Sequence, residues 1–409
     1  MRLSTLQIAW RNLGRNRKRT ALAALAICVG QFALLASQGL MRGYSDNIRR
    51  AVTGPMIGHA QVHAPEWREE RAMDLFIPNL PQVLRTIREQ PHVRNAAGRI
   101  YAPVLVAPQR EAFVATVVGL DVEPESKPYG LLSGSTTKLG EQDVLLGYRL
   151  ARRIGAEPGA ELAVIGQAAD GSYATGLFTV REIMRTPSDM INQSGIVMRL
   201  AAAQQLFVLP DSGHEIVVRA EPGTDAETLT ENLAPLASLQ SLEIKPWTEL
   251  VPELVLVIEM ADYVGYFVLV LVFVAAIAGI TNTLMMATFE RMHELGMLLA
   301  LGTRPGRLVK LIVVEAGLLG VVGTVAGTAL GAVLVWIASE TGIDMASWGG
   351  EHVQDLAYQG LRLPLDIYPR LKWQDPLIGL AAILFTSVLA SLWPARVASQ
   401  LEPMEAMRA

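Results

Sequence analysis

Residues 263–289 form a run of 27 positions without a charged side chain. An α-helix rises about 1.5 Å per residue, so about 20 apolar residues cross the hydrocarbon core of a membrane. Three further apolar runs, 20–41, about 308–337 and 376–395, are also long enough. The composition agrees, because 51% of the residues are hydrophobic and only 18% are charged. The sequence therefore predicts an integral membrane protein with four transmembrane helices.

The first apolar run has 22 uncharged residues and no small-residue cleavage motif after it. The apolar region of a secretory signal is shorter, about 7–15 residues, so this run is interpreted as an anchor. It contains Cys28, the single cysteine of the chain, so we expect no disulfide in the soluble part. Leu3, Leu6, Trp10 and Leu13 precede the run at helical spacing and predict an amphipathic helix, with a disordered basic tail as the alternative.

The distribution of charge predicts the orientation. Residues 1–19 carry six Arg or Lys and no acid, whereas residues 43–255 carry 19 basic and 26 acidic side chains. The positive-inside rule then places both termini in the cytosol and the large segment outside. Because the chain has no basic domain and no nucleic-acid motif, nucleic acid is excluded as a partner.

The large segment alternates between strand-like and helix-like patterns. Strands are expected near 59–63, 100–106, 113–120, 214–220 and 242–246, and a helix near 225–236. These patterns predict an α+β periplasmic domain with residues 122–205 inserted into a frame formed by the flanks.

The predicted organisation follows the chain in nine parts. They are a cytosolic amphipathic helix (1–19), a first span (20–42), the periplasmic domain (43–250), a stalk and second span (251–289), a cytosolic helix and loop (290–306), a third span (307–339), a second periplasmic loop (340–375), a fourth span (376–395) and a cytosolic tail (396–409). The stalk and second span form one helix of about 40 residues, roughly 60 Å, which exceeds the membrane core of about 30 Å. This length predicts a rigid lever into the periplasmic domain.

The loop between spans two and three predicts a short amphipathic helix. Met292, Leu295 and Leu299 share one face, and Glu290 and Glu294 stack on another. Gly302, Pro305 and Gly306 then end the helix. A charged helix of this kind is suited to dock into a groove of a soluble partner.

Three groups of residues resemble the FtsX/MacB-type ABC transporter permeases. They are Glu290-Arg291, Glu294-Leu295-Gly296, Ala300-Leu301-Gly302 and Glu315 around the loop; Ala9-Trp10-Arg11-Asn12-Leu13, Arg15-Asn16 and Arg19-Thr20 at the start; and Pro394-Ala395-Arg396, Leu401-Glu402-Pro403 and Glu405-Ala406 at the end. The resemblance implies a mechanotransmission-type permease whose residues 290–302 are the coupling helix on a separate ABC ATPase. Its candidate coupling residues are Glu290, Arg291, Glu294, Gly296 and Gly302.

Length and predicted topology are most similar to the lipoprotein-releasing LolC/LolE branch of that family. The resemblance implies a bacterial inner-membrane subunit that couples ATP hydrolysis to lipoprotein release, with a second permease copy, membrane lipids and a periplasmic carrier or adaptor as partners. The alternatives are a MacB-like efflux permease and an FtsX-like relay that regulates a periplasmic protein without transport. No lysine is followed by Ser or Thr, so a Walker A loop is absent and ATP and Mg are expected in the partner subunit, with no cofactor in this chain.

Three further features of the sequence are candidate sites. Glu315 is an acid inside an apolar run, and we favour pairing with a neighbouring helix or the coupling loop over a role in substrate passage. Gly323, Gly327 and Gly331 form a small-residue stripe, interpreted as packing against span four or a sliding surface, with ordinary span packing as the alternative. His59 and His63 lack a third ligand, so no metal site is predicted. No catalytic motif was found.

Overall fold

A computed structural model describes residues 5–15, 17–108, 111–133, 139–186, 188–239, 241–345, 357–358, 361–362 and 366–400. It divides into two compact units. The helical unit comprises Met1–Asp46, Ile258–Met345 and Asp366–Ala409, and the sheet unit comprises Asn47–Val257 and Ala346–Leu365.

The helices, in chain order, are α1 Thr5–Arg15, α2 Arg17–Ala51, α3 Trp67–Glu70, α4 Leu80–Arg88, α5 Val122–Ser126, α6 Tyr148–Ile154, α7 Asp189–Ser194, α8 Leu200–Leu206, α9 Ala226–Leu239, α10 Trp247–Leu250, α11 Pro252–Glu290, α12 Met292–Ala300, α13 Pro305–Thr341 and α14 Asp375–Ser399. A π-type turn, Val52–Met56, follows α2.

The strands are β1 Ala60–His63, β2 Val93–Ala107, β3 Phe113–Leu120, β4 Asp143–Gly147, β5 Glu161–Gln167, β6 Tyr173–Met184, β7 Gly195–Arg199, β8 Glu215–Ala220, β9 Glu243–Pro246, β10 Ile343–Asp344, β11 Ala357–Tyr358, β12 Leu361–Arg362 and β13 Asp366–Ile367. The first nine form one sheet, and the last four form two short pairs.

In the part of the chain that the structure describes, four helices, α2, α11, α13 and α14, are long and apolar enough to cross a membrane. Together with the large α/β domain after the first of them, they confirm the predicted fold class. The helix α2 continues nine residues beyond the predicted span end at residue 42, because no proline occurs before Pro55.

The sheet unit contains a closed six-stranded barrel. The strand order is β3-β7-β4-β6-β5-β2-β8-β1-β9, and a further pairing of β2 with β3 closes the first six strands on themselves. Alternate residues of these strands, such as Val104, Val117, Leu146 and Val164, point inward and form the barrel core. A second core lies where α4 and α9 cover β1 and β8.

The long strand β2 belongs to both parts of the sheet unit. Its first half pairs with β8, and its second half pairs with β3 and β5. Residues 122–205 were expected to form the inserted part of the domain by themselves. In the structure the barrel also includes β2 and β3, which precede residue 122. Fifteen residues of continuous strand provide hydrogen-bonding edges for both parts.

The glycine stripe of α13 faces the first span. A Cβ atom at Gly323 would lie 2.7 Å from the Cβ of Ile27, and one at Gly327 would collide with the backbone carbonyl of Cys28. The stripe therefore packs against the first span and not against span four, which corresponds to the alternative of ordinary span packing. Gly320 faces α14 instead, where a Cβ would lie 3.4 Å from Ile383. Because glycine has no side chain, the two helix backbones can approach closely, as is typical of small-residue stripes in membrane helices.

Gly327 gives a test of this packing. We expect Gly327→Ala to lower the unfolding temperature of the detergent-solubilised protein, because the carbonyl of Cys28 belongs to helix backbone and cannot move aside cheaply. The cost is about 1–3 kcal/mol, larger than the helix-propensity gain of alanine over glycine, about 1 kcal/mol.

The matched control lies on the same helix. A Cβ at Gly317 meets nothing within 4 Å, so Gly317→Ala should keep or raise the unfolding temperature. Equal shifts in the two variants would contradict close packing of the stripe on α2.

Candidate coupling site

The short helix α12 is delimited by local backbone signals. Gly302 follows its last turn with φ +82, a left-handed conformation that favours glycine. The amide of Gly302 donates to the carbonyl of Leu299 at 2.9 Å, and that of Thr303 donates to Leu298 at 3.0 Å. These two bonds form a Schellman motif, which satisfies the last carbonyls of the helix. Pro305 then begins α13 at a position that suits proline.

The two faces of α12 differ in exposure. Leu295 is buried and belongs to a core that includes Leu284 of α11 and Ile312 of α13. Met297, Leu298 and Leu301 are exposed, and Leu301 keeps 83% of its accessible surface. We call these three residues the apolar face. An apolar face beside charged side chains is the type of surface that binds a partner groove.

Glu315 of α13 joins three elements of the helical unit. Its carboxylate accepts a hydrogen bond from the amide of Asn12 in α1. The guanidinium of Arg291, between α11 and α12, lies 3.2 Å from the same carboxylate. Glu315 is buried and Arg291 largely so. The two contacts tie α13 to α1 and to the junction of α11 and α12, with Arg291 supplying the opposite charge and Asn12 a hydrogen bond.

A second contact holds α12 against α1. Arg15 Nη1 lies 2.6 Å from Glu294 Oε1, with side chains 66% and 44% exposed. Exposed ion pairs of this kind contribute about 0–1 kcal/mol, so this pair positions α12 only weakly. Beside it is a cavity of about 250 Å³ that is lined by residues of α1, α2, α11 and α13 and by Arg291.

The structure thus brings most of the predicted coupling residues to one place. Arg291 contacts Glu315, and Glu294 contacts Arg15. Gly296 is buried, and Gly302 ends the helix. Glu290 ends α11 and also has an interaction partner. Their role in coupling to an ATPase remains a prediction. Asn12 and Arg15 belong to the N-terminal motif that resembles the family, but the sequence alone does not identify them as site residues, because their partners are far away in sequence.

The sheet unit holds a second charged cluster, which was not predicted. Arg99 Nη2 lies 2.6 Å from Glu125 Oε1, and Arg219 Nη2 lies 2.9 Å from Glu125 Oε2. The amide of Leu131 donates to the same carboxylate at 2.7 Å. Arg99 also donates to the carbonyls of Pro55 and Met56. The cluster therefore fixes the turn after α2 to the sheet.

The environment of this cluster sets its protonation. Burial raises the pKa of the Glu125 carboxyl, but the charges of Arg99 and Arg219 and the Leu131 hydrogen bond outweigh burial and hold the pKa below its usual value. Burial raises the pKa of Glu215, and raises that of Tyr101 to about 12. The lowered pKa favours the ionised form of Glu125, which compensates the two buried guanidinium groups.

His59 and His63, at which the sequence predicts no metal site, have other partners. His59 Nδ1 accepts from the amide of Ala220 at 3.2 Å. His63 is buried, and its Nδ1 lies 3.4 Å from Glu243. Among the described residues there is no group of three His, Cys, Asp or Glu able to hold a metal ion.

The outside of the barrel carries an apolar row. Leu105 of β2 is opposite Val114 of β3 on one side and Ile165 of β5 on the other, and all three are exposed. On β6 the residue opposite Ile165 is Thr175, and the exposed Leu177 and Tyr173 lie two residues to either side of it on the same face; we include Leu177 in the row. Adjacent exposed apolar residues on a sheet face are typical of interaction surfaces.

Comparison with known families agrees with this architecture. Residues 20–236 match the family described as the MacB-like periplasmic core domain. Residues 266–403 match the family described as the FtsX-like permease C-terminal domain. The chain therefore belongs to the FtsX/MacB-type ABC transporter permeases, as the sequence motifs predicted, and is a membrane protein.

Similar proteins cover nearly the whole chain. The lipoprotein-releasing system transmembrane protein LolC of Neisseria meningitidis is 25% identical over 95% of this chain and 94% of its own length. The lipoprotein-releasing system transmembrane protein LolE of Haemophilus influenzae is 23% identical over 98% of both chains. The periplasmic region of MacB from Actinobacillus actinomycetemcomitans is 14% identical over 48% of this chain and 93% of that structure, with a TM-score of 0.35.

Proposed function

We propose that this chain is the permease subunit of an ATP-driven complex that releases lipoproteins from the bacterial inner membrane. Its nearly full-length similarity to LolC and LolE proteins, named for lipoprotein release, carries this proposal. In the proposed complex a separate ABC ATPase binds and hydrolyses ATP with Mg, a second permease copy completes the membrane part, and both termini lie in the cytosol. The six basic side chains of residues 1–19 support that orientation.

The ATPase docks, in this proposal, on α12. Leu295 holds the helix to the bundle, while the apolar face of Met297, Leu298 and Leu301 remains exposed for a partner. The Schellman motif at Gly302 stops the helix, so the docking element has a defined length. The ion pair of Arg291 and Glu315 then transmits a movement of α12 to both α11 and α13.

Force is transmitted through α11. This helix runs without interruption from Pro252 in the sheet unit to Glu290, immediately before α12. A helix of 39 residues is about 58 Å long and stiff on that scale. Movement of the ATPase can therefore reach the periplasmic domain without a polar pathway through the spans.

A periplasmic carrier or adaptor is the proposed partner of the apolar row on the barrel. The row of Leu105, Val114, Ile165 and Leu177 crosses four adjacent strands and supports such an interface.

The MacB-like periplasmic domain also supports a second candidate function, the export or efflux of another substrate. An FtsX-like relay, without transport, is the third.

Proteoliposomes containing the permease, its ATPase and a fluorescent lipoprotein test the function. We expect ATP to move the lipoprotein into the soluble fraction with a carrier present. ATP hydrolysis without release of the lipoprotein would contradict the proposed substrate and favour the other two functions.

Glu294 gives a test of docking in the same assay. We expect Glu294→Arg to reduce lipoprotein release and permease-stimulated ATP hydrolysis at least severalfold while the protein stays in the membrane. The contact with Arg15 is worth only about 0–1 kcal/mol, so a large effect favours a role of Glu294 at the ATPase interface over its contact with Arg15.

A charge swap separates the two explanations. The double variant Arg15→Glu/Glu294→Arg restores the ion pair with opposite polarity. If Glu294 acts at the ATPase interface, the swap does not restore activity. Recovery in the swap would show that Glu294 only positions α12 through Arg15.

A further inference from the structure

The sheet unit contains a cavity of about 320 Å³ with strongly basic walls. Its cationic lining residues are Arg50, Arg94, Lys127 and Arg219, and its one carboxylate is Glu221. The walls come from the end of α2 and the turn after it, the start of β2, the segment after α5, and the end of β8 with the turn that follows. Four positive groups around one concave space favour an anionic ligand.

Arg219 is the buried part of this site and is only 2% exposed. Its Nε donates to the carbonyl of Gly54 at 2.9 Å, and its Nη2 donates to Glu125 at 2.9 Å. Its Nη1 has no hydrogen-bond partner among the described residues. Leaving a buried guanidinium donor unpaired costs free energy, so a ligand oxygen at this position would be stabilising.

His59 offers a second donor at the cavity wall. Its Nδ1 accepts from the amide of Ala220, so the neutral ring carries its proton on Nε2. Burial and the charge of Arg219 lower the pKa of His59 to about 4, and the ring is therefore neutral at pH 7. A neutral donor adds a hydrogen bond to an anion without adding another charge to desolvate.

The remaining cations are on exposed side chains. Arg94 lies over the ring of Tyr129 at 5.1 Å, which fixes the direction of its guanidinium. Lys127 is 3.1 Å from the exposed carboxylate of Glu123, a weak pair that a multiply charged ligand can replace. The site thus combines a fixed inner donor with adaptable outer charges, and hydrogen bonds from such cations to phosphate oxygens are charge-assisted.

We propose that this cavity binds a phosphate group, as a phosphoester or as free phosphate. Several oxygens on one centre can meet Arg219, His59 and the outer cations together, which a single carboxylate does less well. Arg50 is only nine residues after Met41, the end of the first apolar run, so an anionic lipid headgroup is one source to be tested beside free phosphate. The proposal goes beyond the transport function and does not depend on it.

The test uses the full-length protein in a phosphate-free, non-ionic detergent. One arm titrates inorganic phosphate by isothermal calorimetry. The second adds phosphatidylglycerol and counts bound molecules by native mass spectrometry, with dioleoylglycerol as the lipid without phosphate. Binding of both phosphate probes, with phosphate displacing the lipid, identifies a headgroup site, whereas binding of inorganic phosphate alone identifies a free-phosphate site. Binding of neither phosphate probe overturns the proposal.

The variants concern exposed residues, so folding is preserved. Arg94→Gln/Lys127→Gln should raise the Kd of whichever phosphate probe binds by about tenfold or more, the effect of losing charge-assisted hydrogen bonds. Arg185→Gln is the matched control, because Arg185 is also exposed and also lies over a tyrosine ring, that of Tyr148, but is outside the cavity. Equal losses in the double variant and the control would likewise overturn the proposal.

Discussion

Leu256→Pro is expected to abolish ATP-driven release while leaving the permease in the membrane, assembled with its ATPase and able to support basal ATP hydrolysis. Leu256 lies inside α11, two residues before the division between the sheet unit and the helical unit. Proline there removes the backbone hydrogen bond to residue 252 and clashes with its carbonyl. The cost is about 3 kcal/mol, and the helix kinks at a point through which force passes in the proposed mechanism.

The exposure of Leu256 makes this variant informative. Its side chain is solvent-exposed, so its removal breaks no core contact. The matched control Leu256→Ala removes the same side chain and keeps the helix, and it should release lipoprotein at the wild-type rate. Release and ATP hydrolysis are measured side by side in proteoliposomes. A fully active Leu256→Pro protein would mean that force does not travel through α11.

The sequence predicted the regular parts of this fold because each depends on a local pattern. The strand expected at residues 113–120 is observed as Phe113–Leu120, and the helix expected from 225 is observed as Ala226–Leu239. Alternating burial and uninterrupted apolar runs determine such elements without knowledge of their neighbours. The four spans were predictable for the same reason.

Contacts between distant segments were less predictable. The stripe of Gly323, Gly327 and Gly331 indicated a close helix approach but not its partner, which is α2 and not α14. A small residue specifies how near a neighbour comes, whereas the neighbour's identity depends on the arrangement of all four spans. Glu315 likewise indicated a buried acid, but its partner Asn12 is 303 residues away.

The cluster around Glu125 carried no sequence signal at all. Arg99, Glu125 and Arg219 belong to β2, α5 and β8, and each is flanked by residues of ordinary strand or turn composition. Charged residues are mostly found on protein surfaces, so a sequence pattern of alternating apolar and charged residues predicts that the charged ones are exposed. The closure of the barrel and the turn after α2 bury them instead, and the pairing compensates for the lost hydration.

Glu125→Gln is expected to destabilise the sheet unit by about 3–5 kcal/mol, because it leaves the guanidinium groups of Arg99 and Arg219 buried without their shared counter-charge. Pulse proteolysis of the full-length protein in urea measures this difference. Glu123→Gln is the matched control, since Glu123 lies two residues away with its side chain 83% exposed, and its pair with Lys127 should contribute less than about 1 kcal/mol. Equal effects of the two variants would contradict the structural role of the buried cluster.

The pH dependence of the same difference gives an independent check. The pKa of Glu125 is lowered in the folded protein, so its ionised carboxylate contributes stability above the ordinary pKa of about 4.3. That contribution is lost as the pH falls through the lowered pKa, because the wild-type carboxyl then becomes neutral like the amide of Glu125→Gln. The stability difference between wild type and variant should therefore be largest near pH 7 and shrink as the pH falls below about 4. A difference that stays constant down to pH 3 would mean that Glu125 acts through its shape and hydrogen bonds, and that its charge is not what holds Arg99 and Arg219 in the sheet unit.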